Sequence, residues 1–402
     1  MKKLLIILLF VGLTTHAQDK GKFESYSNPF YDNIVNKSKS YKEQESEEKK
    51  SFKMIINENE IPKSLSEFTI IKSEAPISQG NTGTCWCFST TSFYESEIYR
   101  ISGKTINLSE LYPVYYEYIE KARRYINSRG KSYLGEGSET NAVQRMMKIY
   151  GIVPFEAYEG KPSEQTYYNH EDMFKEIKTY LHNCKEINFW DEEAILANIK
   201  AILNHYMGAP PKSFNYNGKK YTPNTFLKNV TKINTDDYVD FMSLMQKPYW
   251  SQQEYKVPDN WWRSEDYYNI PLDDFMTAIK NAIKNGYSMS IGGDVSESGY
   301  LSTHDVAIVP SYDIPSQYID ENARQFRFSN KTTTDDHAIH LIGYKIDKNG
   351  KWWFLIKDSG SGSRNGKFPG YYFYHEDYVK LKMMSFTIHK DAVEETLNKC
   401  IN

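Results

Sequence analysis

Basic charge is not in surplus anywhere in the count: 49 lysines and arginines stand against 52 aspartates and glutamates, a formal net charge of −3. That excludes a dedicated nucleic-acid binder, which needs an excess of cations to neutralise phosphates. Cysteine is scarce too. Cys85, Cys87, Cys184 and Cys400 are the whole set in 402 residues, too few for a disulfide scaffold. No pair has zinc-finger spacing, because Cys85-x-Cys87 is one residue short of CxxC. No metal and no other cofactor is therefore expected, while a Cys184–Cys400 bridge stays open. Long apolar runs are missing beyond the first residues. There, Lys2 and Lys3 precede an apolar run from Leu4 to Leu13, and Thr15-His16-Ala17 ends in a small residue. This is the layout of a secretory signal peptide over 1–17, and the run is shorter than the roughly 20 residues of a membrane anchor. No cysteine marks a lipoprotein site. The expectation is a secreted or periplasmic protein with no integral membrane segment.

What is present suits a globular protein: 40% hydrophobic and 25% charged residues, with 33 tyrosines. Residues 18–65 are polar, with a highly charged run at 42–50, and read as a loosely ordered extension. An inhibitory pro-segment is the alternative, although the stretch is short for one. Helical periodicity predicts helices at 85–102 (with Gly103 as the stop), 109–127, 140–150, 191–207 and 271–285. In the first of these, Cys87, Thr91, Tyr94, Ile98 and Ile101 form one stripe. The stretch 208–262 is rich in turn signals and aromatics and reads as irregular. Strand-like alternation then predicts strands at 288–295, 337–344, 352–357 and 371–374. Helices first and strands last imply an α+β fold with a site between two lobes. The divisions are a helical lobe at 66–207, an insertion and linking helix at 208–286, a β-rich lobe at 287–390 and a short tail at 391–402.

A cysteine nucleophile works as thiolate, so it needs a setting that favours the anion. The first turn of a helix supplies unpaired N–H groups and partial positive charge. Cys85 opens the helix at 85–102, directly after the turn-rich Gln79-Gly80-Asn81-Thr82-Gly83. Cys87 falls on the apolar stripe and reads as structural. Six residues before Cys85, Gln79 is placed for its amide to join the Cys85 N–H in an oxyanion hole. The stretch Gln79-Gly80-Asn81-Thr82-Gly83-Thr84-Cys85-Trp86-Cys87-Phe88-Ser89 resembles the nucleophile motif of papain-like cysteine peptidases. Thr82 and the QGxTGTCW wording are similar to the bleomycin hydrolase and aminopeptidase C branch. So are Met146–Pro154, Gly208–Phe214 with Tyr221-Thr222-Pro223, and Gly292-Gly293-Asp294. The resemblance covers roughly 75–390 and implies a two-lobed fold, with a helical left lobe and a β-barrel-like right lobe.

It also implies a histidine and an orienting residue. Asp336-His337-Ala338-Ile339-His340-Leu341-Ile342-Gly343-Tyr344 resembles the family's histidine strand, so His337 is the expected general base. His304 is the rival, and His340, three residues on, is expected to be structural. The family's orienting Asn is matched by Asp358, expected to accept the Nδ1–H of His337. Gly360 stands where a shielding tryptophan is expected, which should wet that hydrogen bond and weaken it. The candidate site is therefore Cys85, His337, Asp358 and Gln79, acting on a polypeptide or peptide substrate. Hydrolysis through a thioester acyl-enzyme leads; a transglutaminase-like acyl transferase and an inactive binding relative are the alternatives. Relatives in this branch carry a C-terminal arm that restricts them to trimming N-termini. Here the last strand, at about 384–389, leaves only a short tail, expected as a small surface helix. An endopeptidase with a groove open at both ends is expected, and an aminopeptidase is the alternative. Nothing in the sequence sets the oligomeric state.

Overall fold

The computed structural model describes residues 18–37 and 50–401; the expected leader at 1–17 lies outside them. The supposedly loose extension is built structure where it is described. Strands β1 (Gly21–Ser25) and β2 (Lys50–Met54) pair antiparallel, and between them α1 (Pro29–Lys37) buries Ile34 completely. Phe30 and Ile34 give the polar segment enough apolar surface to dock.

After the short β3 (Thr69–Ile70), the helical lobe follows the apolar periodicity closely. It contains α2 (Cys85–Ser102), α3 (Leu111–Asn127), α4 (Asn141–Tyr150) and α6 (Glu192–Met207). Gly103 ends α2 at φ 67°, a left-handed cap that glycine adopts without strain. Helix α5 (Glu171–Glu186) was not expected, because charged residues dominate its composition. Met173, Phe174, Ile177, Leu181 and Cys184 nevertheless share one buried face. The single stripe expected on α2 is too narrow. Every residue from Trp86 to Ile98 is buried, because α2 is wedged between the helices and the sheet. Ile101, beyond that wedge, is 41% exposed.

The stretch expected to be irregular carries elements of its own. Strands β4 (Phe214–Tyr216) and β5 (Lys219–Tyr221) form a hairpin, followed by α7 (Pro223–Phe226), β6 (Tyr238–Met242) and β7 (Ser251–Gln253). Next come β8 (Tyr267–Asn269), α8 (Leu272–Lys284), β9 (Met289–Gly293), β10 (Tyr300–Leu301), β11 (Val306–Ala307) and α9 (Glu321–Ser329). The chain closes with β12 (His337–Ile346), β13 (Trp352–Lys357), β14 (Tyr371–His375), α10 (Glu376–Lys382), β15 (Met383–His389) and α11 (Glu394–Ile401).

One sheet runs β10-β11-β14-β13-β12-β9-β15-β6-β8-β7, with β3 added on β12. Its two end strands do not pair with each other among the described residues, so the barrel-like closure is not part of its hydrogen-bonding. Each edge is covered instead, which blunts it as a template for pairing. Met54 on β2 donates to Ser298 beside β10, and α11 packs against β7. One apolar core lies within the helical lobe, around Trp86, Phe93, Leu111, Ile119 and Ile199. A second lies under the sheet, around Phe241, Ile279, Ile291, Ile339, Phe354 and Phe386. Each such fully buried side chain contributes on the order of 2 kcal/mol. Cys184 belongs to the first core and Cys400 packs against the second, so the open disulfide is absent: all four cysteines are free. Among the described residues no helix is long and apolar enough to cross a membrane. The fold is α+β, with α2 of the helical lobe facing β9 and β12 across the seam.

Candidate active site

Cys85 is the first residue of α2, where backbone N–H groups lack helical partners. The loop before it is fixed by its own hydrogen bonds. Thr82 Oγ1 donates to Gln79 O at 2.8 Å, and Asn81 N donates to Tyr168 O at 2.9 Å. Gly80 sits at φ 66°, and a Cβ there would strike the Tyr168 carbonyl, so the turn requires glycine. On the other flank, Gly83 N donates to Glu136 Oε2 at 2.8 Å and Trp86 Nε1 to the Glu136 carbonyl at 3.3 Å. The loop 135–137 thereby lies beside Cys85.

His337 opens β12, the strand that packs against α2. Its ring is held at Nε2, not at Nδ1 as the resemblance implied: Nε2 lies 2.8 Å from Asp358 Oδ1. The distal nitrogen is the one that reaches across the strand pair to the residue following β13. Nδ1 is left free to face Cys85. Burial works against a charged His337, but the Asp358 carboxylate and then Cys85 raise its pKa well above 6.5. Burial also opposes ionisation of Asp358, yet its contact with His337 and the Gly360 N–H hold its carboxyl below the usual 3.8.

The hydrogen bond is not wetted by the loss of tryptophan at Gly360. Asp358 is 2% exposed. Tyr300 supplies the cover from a distant part of the chain, donating its hydroxyl to Asp358 Oδ2 at 3.2 Å. Its ring stacks on Tyr372 at 4.5 Å and meets Tyr374 edge-on. Nothing in the sequence singles Tyr300 out among 33 tyrosines.

Gln79 lies within this group. Ser359 Oγ donates to Gln79 Oε1 at 2.7 Å, and Gln79 N donates to the Ser359 carbonyl at 3.0 Å. The side-chain Nε2 then donates one hydrogen to Thr82 O at 2.7 Å and keeps a second for a ligand. Ser359 was overlooked, although its place next to Asp358 in the motif was a usable signal.

The remaining candidates separate from this cluster. Cys87 is fully buried with Sγ 3.0 Å from Glu110 O, and burial drives its pKa well above 9.0. His340 is fully buried against Ser92 Oγ at 2.8 Å, and burial drives its pKa well below 6.5. His304 turns to Thr303 Oγ1 at 2.9 Å.

Two segments bridge the lobes around the site. At the Gln79 end, α1 spans the cleft. Tyr31 donates to Asn81 Oδ1 at 3.2 Å on one side. On the other, Phe30 N donates to Asn365 Oδ1 at 3.1 Å and Asn28 Nδ2 to Ser361 Oγ at 3.0 Å. At the opposite end, residues 254–266 leave the sheet for the helical lobe and return to β8. Trp261 Nε1 donates to the buried Glu117 of α3 at 2.7 Å, and Arg145 stacks on Trp262 at 4.1 Å. Asp259 of this segment rests on Gly137, where any Cβ would collide with its carboxylate. The C-terminal α11 lies elsewhere, with Lys399 paired to Asp274 at 2.9 Å on α8.

Comparison with known proteins fits this geometry. A profile of the Peptidase C1-like family matches residues 19–402. Aminopeptidase C of Lactobacillus delbrueckii subsp. lactis is 23% identical over 381 residues, covering 82% of each chain. The crystal structure of PepW from Lactobacillus rhamnosis HN001 superposes with a TM-score of 0.68 at 18% identity, covering 83% of this chain and 84% of that one.

Proposed function

The chain belongs to the Peptidase C1-like family and is a cysteine peptidase, and from that premise we propose an aminopeptidase that releases residues from free N-termini. Cys85 Sγ attacks the scissile carbonyl, forming the S–C bond. The Cys85 N–H and the free hydrogen of Gln79 Nε2 receive the oxyanion. His337 Nδ1 carries the proton from the thiol to the departing amine as the C–N bond breaks. Water, deprotonated by the same nitrogen, then cleaves the thioester. Asp358 fixes the ring and stabilises the imidazolium.

The observation that carries the exopeptidase reading is the crossing of residues 254–266, which lays Asp259 against Gly137 beside the nucleophile. A long chain running along that edge would meet it, whereas a single residue ending in an amine would not. The similarity to an aminopeptidase C points the same way. One observation favours an endopeptidase instead: α11 stays outside the cleft, where an arm restricting access to N-termini would have to enter. Mapping cuts in matched peptides with acetylated and free N-termini tests the choice. Release of single residues only from free N-termini is expected, and internal cuts in acetylated peptides would overturn it. The lysine-flanked apolar start supports export to a secreted or periplasmic location. N-terminal sequencing of the exported protein should begin near Gln18, and a retained Met1 would refute this.

A further inference from the structure

Near Cys85, three carboxylates from three separate elements act on one another: Glu139 before α4, Asp335 before β12 and Asp259 on the crossing segment. The surroundings are built for a ligand. Gly292 on β9 has no side chain, and the place its Cβ would take lies 3.0 Å from Ser385 Oγ and 3.4 Å from Asp335 Oδ1. Ser385 is fully buried and its hydroxyl has no partner. The hydroxyl of Tyr267, fully buried and within the field of Glu139 and Asp335, also lacks a partner, while the Tyr255 hydroxyl is turned to Asp335. Native proteins leave few such groups unsatisfied, so their concentration at one place needs an occupant.

The charges define that occupant. Burial first, then the acidic groups Asp335, Asp259, Cys85 and Asp240, push the Glu139 carboxyl well above 4.5, and no cation is among those causes. Burial likewise pushes Asp335 up to about 8, against the hydrogen bonds of Tyr255 and Glu139 that favour its ionised form. Lys121 is the cation that acts on Asp259, and its Nζ is already committed to the Gly135 and Gly137 carbonyls. Among the described residues no three acidic or histidine side chains converge closely enough to hold a metal ion, which leaves a larger, organic cation.

We propose that Glu139, Asp335 and Asp259, with the Ser385 and tyrosine hydroxyls, form an anchor for an organic ammonium group of the substrate. In the exopeptidase reading, on which this rests, the group is the substrate's free α-ammonium. Held there, it sets the scissile carbonyl over Cys85, and Asp259 closes the site against further residues. The same chemistry accepts a lysine or arginine side chain next to the scissile bond if the enzyme cuts internally.

The test compares kcat/KM on aminoacyl-aminomethylcoumarins with a free amine, an acetylated amine or an α-hydroxyl in its place, in the wild type, Asp259→Asn, Glu139→Gln and Asp259→Glu. Labelling of Cys85 by a thiol-directed epoxide confirms an assembled site in each. The wild type should prefer the free amine over both neutral analogues. Both neutralised variants should cut that preference on the order of 10²-fold, chiefly through KM, and Asp259→Glu should retain much of it. If acetylated and free substrates are processed alike, the exopeptidase reading fails. The anchor then stands only if a preference for an adjacent Lys or Arg is lost in the same variants. Turnover of the α-hydroxyl analogue equal to the amine, with no basic preference, overturns the anchor, whatever becomes of the exopeptidase reading.

Discussion

Asp358 shows how one residue changes meaning between motif and structure. In sequence it is a departure from the expected Asn, next to a missing tryptophan. In the fold it is a buried carboxylate with Tyr300, Gly360 and His337 on it. His337 is raised above 6.5, so its contribution is complete below that pH and is lost as pH rises through the higher folded value. Asp358 is depressed below 3.8, so its contribution is present above that pH and is lost as pH falls through the lower folded value. The pair therefore stabilises most between pH 3.8 and 6.5. Asp358→Asn removes the charge that raises His337, and its Tm deficit should be largest in that window. The alkaline limb of its kcat/KM profile should move to lower pH; an unmoved limb would mean that Asp358 does not set the His337 proton affinity. Tyr300→Phe should cost about 1–2 kcal/mol in thermal unfolding and shift the acid limb upward, because Asp358 loses a donor.

At the scale of elements, helices announced themselves wherever apolar spacing outweighed composition. Helix α2 was bounded correctly because Gly103 and the turn before Cys85 are local signals. Helix α5 was not, because its charged residues mask a narrow apolar face, and α1 was hidden in a polar stretch whose docking partners lie over 300 residues away. That docking leads to a prediction. Phe30→Ala removes the ring over Arg364 and should loosen α1 from the 361–365 loop. Turnover of substrates with bulky leaving groups should rise severalfold relative to small ones. Equal rates before and after would assign α1 a purely structural role.

The whole molecule is held as a two-lobed cleft by segments that cross it, and the crossing at 254–266 is pinned by Trp261. Its indole N–H satisfies Glu117, which is fully buried and also takes Arg145 and Ser138. Trp261→Ala leaves a cavity and an under-satisfied carboxylate, a loss of about 3–5 kcal/mol. Calorimetry should show that loss, and released residues 254–266 should let acetylated peptides compete better with free ones. A preference unchanged at lower stability would separate the crossing from specificity.

The sequence by itself determined the class of chemistry, because a cysteine at a helix start, the glycine loop before it and the His337 strand are short contiguous patterns with local physical causes. It also determined the α+β order, through apolar periods that switch from helix to strand along the chain. Which ring nitrogen meets Asp358, that Tyr300 stands in for a tryptophan, and that Asp259 reaches Gly137 were decided only by tertiary structure. Each depends on where segments far apart in the chain come together, and no local pattern encodes that distance.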